Sequence, residues 1–261
     1  MSELRRQLDF AIATAQEAGR ITLAHFQSDT TVELKADQSP VTVADRSAEQ
    51  RIRERIEAAY PSHAVLGEEF GGPDDQRGSS HRWLVDPIDG TRAFVRGVPL
   101  YAVLVALEVD GKIEVGVADF PALGETVWAA RGEGCYWNGR RCFVRETATL
   151  AESVVAFTGA SSFARHGREA AWQRFQAATS YQAGWSDAYG HALVATGRLE
   201  LMLDPAMNVW DCGPFPVILA EAGGFFGNWS GEHTIYGGEA LSTTSVLLEQ
   251  VLELVAGDTD G

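Results

Sequence analysis

Apolar and small residues recur at helical spacing near the start of the chain, on a face made by Leu4, Leu8, Ala11, Ala15, Ala18 and Thr22. This period predicts an amphipathic helix over about residues 1–20. The same spacing predicts a second helix over residues 45–59, ended by Pro61, with an inner face of Ala48, Ile52, Ile56 and Ala59. Further helices are predicted over residues 170–178, 187–197, 210–224 and 245–255.

Short apolar runs bounded by turn residues predict strands between these helices. HAVLGEEF, residues 63–70, and WLVD, residues 83–86, are two such runs, and both contain acids at or near their ends. Residues 30–45 are typical of extended chain with a turn at Ser39-Pro40, and residues 71–81 of a polar loop. Successive strands without a helix are predicted over residues 100–140, with turns at Asp110-Gly111 and Asn138-Gly139. Strands over residues 153–159 and 199–203 follow.

The grouping of these elements predicts one layered domain. Runs of strands and helices in separate groups indicate layered α+β or mixed α/β architecture. No linker, low-complexity segment or fixed-period repeat divides the 261 residues, a length that can bury a large core. We expect a single domain over residues 1–261, with two intimate halves, about 1–148 and 149–261, and a site between them.

Composition limits the classes of partner. A formal charge of −15 repels nucleic acid and anionic membranes, so neither is expected as a partner. The same charge would repel a phosphate substrate unless bound divalent cations reversed it locally. No apolar run approaches the 18 residues of a transmembrane helix, and the first helix lacks the features of a signal peptide. Three cysteines without a C-x-x-C pair predict reduced structural thiols and a cytoplasmic protein.

Carboxylates follow two of the predicted strands. Glu68 and Glu69 end one apolar run, Asp86 ends another, and Asp89 lies three residues further in the segment DPIDGT, residues 86–91. If those strands are neighbours, Glu68, Asp86 and Asp89 meet at one sheet edge, where open sheets bind ligands. Divalent cations such as Mg²⁺ relieve the repulsion in such a cluster.

Residues between and after the two aspartates suit the same chemistry. Pro87 redirects the chain, so that the Ile88 carbonyl and the Asp89 carboxylate face one ion. The amides of Gly90 and Thr91 are candidates to bind phosphate oxygens, and the Thr91 hydroxyl to orient a water. Alternatively, D-P and D-G are ordinary turn dipeptides. Dehalogenase-type phosphatases use D-x-D-G-T, but here the acids are three apart and the motif is not N-terminal.

Three motifs together resemble the inositol monophosphatase superfamily. They are GEEFG, residues 67–71, WLVDPIDGTRAFVR, residues 83–96, and VWDCG with EAGG, residues 209–213 and 221–224. They occur in the family's order, and the resemblance spans about residues 35–224. It implies an αβαβα sandwich of the inositol monophosphatase and fructose-1,6-bisphosphatase type. It also implies a homodimeric, Mg²⁺-dependent phosphomonoesterase with two or three ions, for which Mn²⁺ can substitute.

The resemblance assigns roles to particular residues. It implies metal ligands at Glu68, Asp86, Asp89, Asp211, the Ile88 carbonyl and, for an outer ion, Glu69. It implies that Asp45 pairs with Thr91, and that Asp45, Glu68 and Thr91 orient or deprotonate the attacking water. The implied mechanism is metal-assisted hydrolysis without a covalent phosphoenzyme.

Other segments resemble the histidinol-phosphatase branch of that superfamily. FVRGVPL, residues 94–100, and GWSDAYG, residues 184–190, carry this likeness, and Asp204 stands where inositol enzymes have a substrate-contacting acid. Asp187 and Asp204 would suit the ammonium and imidazole of L-histidinol phosphate. Alternatively, Asp187 caps a helix and Asp204-Pro205 forms a turn. Trp185 departs from the glycine common in relatives, and Pro214 and Pro216 from the usual helix.

Other functions remain open from the residues alone. The second hypothesis is an inositol-1-phosphate phosphatase of broad specificity, since carboxylates also bind sugar hydroxyls. A nucleotide phosphatase would have extra length that this chain lacks. A catalytically inactive metal-binding protein would have lost one of the acids, and all of them are present. The fold class is thus a mixed α+β sandwich, and the leading function is hydrolysis of L-histidinol phosphate.

Overall fold

The computed structural model describes residues 2–28, 31–35, 38–72 and 80–257. Its helices are α1 Glu3–His25, α2 Val43–Ala59, α3 Thr91–Phe94, α4 Ala160–Arg165, α5 Glu169–Ala178, α6 Asp187–Ala195, α7 Val209–Cys212, α8 Phe215–Glu221 and α9 Leu248–Ala256. The first strands are β1 Val32–Leu34, β2 Pro40–Thr42, β3 Ala64–Gly67, β4 His81–Asp89, β5 Ala102–Val109, β6 Lys112–Phe120 and β7 Glu125–Ala130. The others are β8 Gly134–Trp137, β9 Arg140–Arg141, β10 Val154–Phe157, β11 Tyr181–Ala183, β12 Leu201–Asp204, β13 Gly224–Gly227 and β14 Ala240–Thr244.

A seven-stranded sheet in the order β3-β4-β5-β6-β7-β8-β9 forms from the first half of the chain. Only the β3–β4 pair is parallel among these strands. Short connections join β5 to β9 in succession, whereas the segment between β4 and β5 contains α3. Both predicted turns are confirmed, because Asp110-Gly111 and Asn138-Gly139 have the positive φ angles of tight hairpin turns. One short 3₁₀ helix, Pro121–Leu123, interrupts the segment that was predicted to have no helix.

A five-stranded sheet in the order β11-β10-β12-β14-β13 forms from the second half. Strands β11, β10 and β12 are parallel, and β14 runs antiparallel to both β12 and β13. The sequence predicted β10 and β12. It did not predict the helix α4 or the strands β11, β13 and β14. A small β1–β2 hairpin precedes α2. The sequence predicted a turn at Ser39-Pro40, but Pro40 is the first residue of β2 and pairs with Leu34.

Three apolar clusters show how the layers stack. Helices α1 and α2 pack with Leu8 and Ile52 against one face of the seven-stranded sheet. Helices α6 and α8 fill the space between its other face and the five-stranded sheet, where Phe215 lies in the shared core. Helices α4, α5 and α9 cover the far side of the five-stranded sheet around Phe175. The order of layers is therefore αβαβα, as predicted.

Two helix predictions need correction. The helix over residues 45–59 begins earlier, at Val43, because Thr42 caps it and Asp45 completes the capping box; its last residue, Ala59, is exposed rather than on the inner face. The helix over residues 210–224 is two helices, α7 and α8, with a break at Gly213-Pro214. Pro214 has no backbone N–H to continue the hydrogen-bond ladder. No helix among the described residues is long and apolar enough to cross a membrane.

Candidate active site

The parallel pairing of β3 with β4 brings the predicted acids together. Gly67 is opposite Val85, so Glu68 follows β3 beside Asp86 of β4. The strand runs on to Asp89 instead of ending at Asp86 as predicted. Asp86 pairs with Leu104 and Asp89 with Ala102, so three steps along β4 match two along β5. This bulge offsets the alternation of side chains and lets both aspartates face one site.

The third carboxylate comes from the second half of the chain. Asp211 lies in α7, and its Oδ2 accepts hydrogen bonds from the Asn208 amide at 2.8 Å and the Asn208 side chain at 3.2 Å. These bonds fix the carboxylate within the first turn. One ligand oxygen from each of Asp86, Asp89 and Asp211 lies within 4.8 Å of the other two. Asp211 is far from Asp86 and Asp89 in the sequence, so no local pattern predicts that they meet. Only the family resemblance assigned Asp211 to the site.

The electrostatics of the three aspartates favour a cation. Burial raises the pKa of Asp86 well above its usual range, and the nearby charge of Glu68 raises it further. Burial, then the charges of Asp187 and Asp211, do the same to the pKa of Asp89. The pKa of Asp211 rises to about 7, mainly through burial. Three hard oxygen donors that repel one another fit Mg²⁺, Mn²⁺ or Ca²⁺.

Glu68 and Glu69 are held by a lysine. Lys35 Nζ donates to Glu68 Oε1 at 2.8 Å and to Glu69 Oε1 at 2.6 Å. Burial alone would lower the pKa of Lys35, but its bonds to the two glutamates raise it. Burial raises the pKa of Glu69 to about 7 against the opposing effect of Lys35. Glu68 therefore lies beside the three-aspartate cluster with its charge compensated.

Asp45 and Thr91 were expected to pair with each other, but in the structure each has a different hydrogen-bond partner. Thr91 Oγ1 donates to the Ile88 carbonyl at 2.9 Å, a local bond to the third residue before it. Asp45 Oδ2 accepts from the amide and hydroxyl of Thr42 because Asp45 closes the capping box of α2. Asp45 Oδ1 is buried and has no hydrogen-bond partner among the described residues.

Gly90 has a backbone that only glycine adopts easily. Its φ angle is +77°, and a Cβ added there would lie 3.0 Å from the Leu100 carbonyl oxygen and 3.2 Å from Asp187 Oδ2. A side chain would therefore crowd the turn that joins β4 to α3. The glycine keeps the backbone of the motif close to Asp187.

Asp187 lies at the start of α6, beside the cluster. Its N-cap is Ser186, so Asp187 is not the cap that the alternative interpretation proposed. Its backbone has a φ angle of +40°, and that of Trp185 is +64°, both rare for residues with side chains. Burial, then the charge of Asp204, raises the pKa of Asp187 to about 7, although Arg92 opposes the increase.

Asp204 ends β12 and is buried beside His191. His191 Nε2 lies 3.4 Å from Asp204 Oδ2, but neither atom has a hydrogen-bond partner among the described residues. His191 Nδ1 is bonded to Ser242 Oγ at 2.7 Å. The histidine is fully buried in the core.

The layered sheets and the clustered carboxylates define a class: an α/β sandwich with a candidate site for hard divalent cations. The chain belongs to the inositol monophosphatase family, whose family model matches residues 3–258. The family assignment made from the motifs is therefore confirmed.

Curated relatives and a solved structure agree with this assignment. The chain is 41% identical over 235 residues to a histidinol-phosphatase of Chlorobaculum parvum, covering 90% of each chain. It is 37% identical over 254 residues to a histidinol-phosphatase of Mycobacterium tuberculosis, covering 94% of this chain and 96% of that one. The extragenic suppressor protein SuhB of Bartonella henselae superposes with a TM-score of 0.89 at 28% identity, covering 97% and 99%. The expected αβαβα fold is confirmed.

Proposed function

We propose that this protein is a Mg²⁺-dependent phosphomonoesterase that hydrolyses L-histidinol phosphate to L-histidinol and phosphate. The observation that carries the substrate is the 41% identity to a histidinol-phosphatase over 90% of both chains. The cluster of Asp86, Asp89 and Asp211 supports the metal dependence. The three aspartates, with Glu68, Glu69 and the Ile88 carbonyl, would hold two or three ions.

The ions supply the chemistry that the side chains lack: when bound, Mg²⁺ lowers the pKa of water and stabilises charge on a phosphate group. We assign Thr91 and Glu68 to the attacking water, since both flank the cluster. Asp45 takes part through its buried Oδ1, which has no hydrogen-bond partner among the described residues and is free to accept a proton. The amides of Gly90 and Thr91 hold the phosphate oxygens.

Two acids support a cationic leaving group. Asp187 and Asp204 lie on the side of the cluster that the second half supplies, and their charges raise the pKa values of Asp89 and Asp187 respectively. L-histidinol phosphate carries an ammonium and an ionisable imidazole, which carboxylates attract. A polyol would need hydrogen bonds alone. Such a polyol would be the substrate in the alternative function, an inositol-1-phosphate phosphatase of broad specificity. The family to which the chain belongs is consistent with that alternative.

Hydrolysis of a panel of phosphate esters tests the substrate. We expect the highest kcat/KM for L-histidinol phosphate, against inositol 1-phosphate and fructose 1,6-bisphosphate. A higher value for either competitor would reject the assignment. Asp204→Asn should raise KM for L-histidinol phosphate more than for inositol 1-phosphate, because only the first carries a positive charge.

The proposal also covers the domain organisation, the oligomeric state and the cellular location of the protein. We propose that the two halves, about residues 1–148 and 149–261, act as one domain, because Asp86 and Asp89 come from one half and Asp211 from the other. A homodimer in the cytoplasm is proposed as well. Light scattering should give twice the mass of the chain, and Mn²⁺ should replace Mg²⁺ with partial activity.

A further inference from the structure

A cavity of ≈ 390 Å³ lies next to the candidate active site, and arginines line it. Arg92 and Arg96 come from the segment after the DGT motif, Arg165 comes from α4, and Asp187 also lines the cavity. The volume is within the range of small-molecule sites. The cavity therefore connects a cationic surface to the acid that borders the carboxylate cluster.

These arginines differ from several others in the chain that are paired with acids. Arg46, Arg53 and Arg82 are each paired with a glutamate. Across residues 2–28, 31–35, 38–72 and 80–257, no salt bridge or side-chain hydrogen bond involves the guanidinium of Arg92, Arg96 or Arg165. All three side chains are exposed. In a chain with 36 acids against 21 bases, three guanidiniums line a cavity that has one carboxylate, Asp187, whose pKa Arg92 lowers. The cavity is therefore a local reversal of charge.

We propose that Arg92, Arg96 and Arg165 form a docking site that captures the phosphate group of the incoming substrate and delivers it to the carboxylate cluster. This inference rests on the proposed function, since the anion is the phosphate of that substrate. Guanidinium groups bind phosphate oxygens through paired N–H donors. Ser161, which also lines the cavity, adds a hydroxyl.

The net charge explains why such a site is useful. A protein of charge −15 repels a phosphate dianion at long range. A cleft lined by positive charge raises the rate of association by about 10-fold to 10³-fold. The ions in the active site attract phosphate only at short range in salt, because screening acts over about 8 Å at physiological ionic strength. The arginines extend that attraction to the mouth of the cavity.

Kinetics at two salt concentrations test the docking site. Arg96→Gln and Arg165→Gln should each lower kcat/KM for L-histidinol phosphate about 5- to 10-fold at low salt, with kcat unchanged. In about 1 M NaCl, where the screening length is about 3 Å, the difference from the wild type should nearly disappear. Arg165→Lys should keep most of the wild-type kcat/KM, because long-range attraction depends on charge.

Arg140→Gln is the matched control, because it removes the same charge from an exposed arginine on β9, five strand positions from β4 in the same sheet. It should leave kcat/KM nearly unchanged. Wild-type kcat/KM in both cavity variants at low salt would overturn the proposal. So would equal losses in kcat and kcat/KM that persist at high salt, since these would place the arginines in the chemical step.

Calorimetry with sulfate separates this inference from the proposed function. Sulfate is an unreactive analogue of phosphate, so its binding needs no turnover. We expect Arg96→Gln to weaken sulfate binding about 3- to 10-fold and Arg140→Gln to leave it unchanged. If L-histidinol phosphate is not hydrolysed but sulfate binding falls as expected, the docking site stands and only the substrate is wrong. Unchanged sulfate binding in Arg96→Gln would reject the site whatever the substrate.

Discussion

The backbone amide of Ala188 donates a hydrogen bond of 2.7 Å to Asp89 Oδ2. Asp89 ends β4 in the first sheet, and Ala188 lies in the first turn of α6, between the two sheets. The positive end of the helix thereby faces an acid of the carboxylate cluster. Burial and the charges of Asp187 and Asp211 raise the pKa of Asp89, while the bond from Ala188 opposes that increase. The second half thus positions an acid of the first.

Replacing Asp89 with asparagine separates metal chemistry from folding. The variant keeps an oxygen that can accept from Ala188 but loses a charge from the cluster. We expect Asp89→Asn to lower kcat/KM at least about a hundredfold, equivalent to about 3 kcal/mol. The melting temperature of the metal-free protein should not fall, because one repelling charge is gone. Near wild-type activity in Mg²⁺ would contradict the mechanism and favour a catalytic site that does not depend on Asp89.

Stability should depend on pH through Asp211. Its pKa is about 7 in the fold against an ordinary value of 3.8. Its stabilising contribution is therefore complete below about pH 4 and is lost as the pH rises through about 7. We expect the melting temperature of the protein in EDTA to fall between about pH 4 and pH 7 and to level off above that range. Saturating Mg²⁺ should restore it, most strongly at the higher pH.

The control for this pH dependence is Asp211→Asn, which cannot titrate at that position. Its melting temperature in EDTA should vary less with pH than that of the wild type. A flat profile in the wild type, or an identical profile in the variant, would show that Asp211 does not carry the effect.

The sequence predicted the position of the acids at the end of β4 from local patterns. Apolar runs ending at Glu68-Glu69 and Asp86 predict strands, and the neighbouring pairing that the site needs is confirmed by β3 and β4. Asp211 was assigned only through the resemblance, because no local pattern reports a contact across more than a hundred residues. The bond between Thr91 and Ile88 was missed for a different reason, since a hydroxyl has several acceptors within reach.

Strand β14 shows why part of the fold was not predicted. All five of its residues, Ala240–Thr244, are buried, yet three of them, Ser242, Thr243 and Thr244, carry hydroxyls. Such a run has neither the continuous apolar character nor the alternation that predicts a strand. The hydroxyls of Ser242 and Thr243 have partners distant in sequence, His191 Nδ1 and the carbonyl of Glu200 respectively. Only the folded chain supplies those partners.

Lys35 should compete with metal ions for Glu68. Its ammonium lies 2.8 Å from Glu68 Oε1 and 2.6 Å from Glu69 Oε1, so ion and lysine use the same oxygens. We expect Lys35→Met to lower the Mg²⁺ concentration for half-maximal activity about 3- to 10-fold, since the pair interaction is worth about 1 kcal/mol. Lys112→Met, which removes an exposed lysine on β6, is the control and should have no effect. A higher Mg²⁺ requirement in Lys35→Met would mean that the lysine assists metal binding.

His191 should stabilise the core through its hydrogen bond to Ser242. Its Nδ1 is bonded to Ser242 Oγ at 2.7 Å, and its ring packs against Phe215 and Phe226 at 4.9 and 5.5 Å between centroids. His191→Phe keeps the packing but leaves the buried hydroxyl without its partner, so the free energy of unfolding in urea should fall by about 1–3 kcal/mol. Adding Ser242→Ala should recover about 1 kcal/mol of that loss, because the unpaired hydroxyl is removed. If the effects of the two single substitutions simply add in the double variant, the hydrogen bond does not couple these residues.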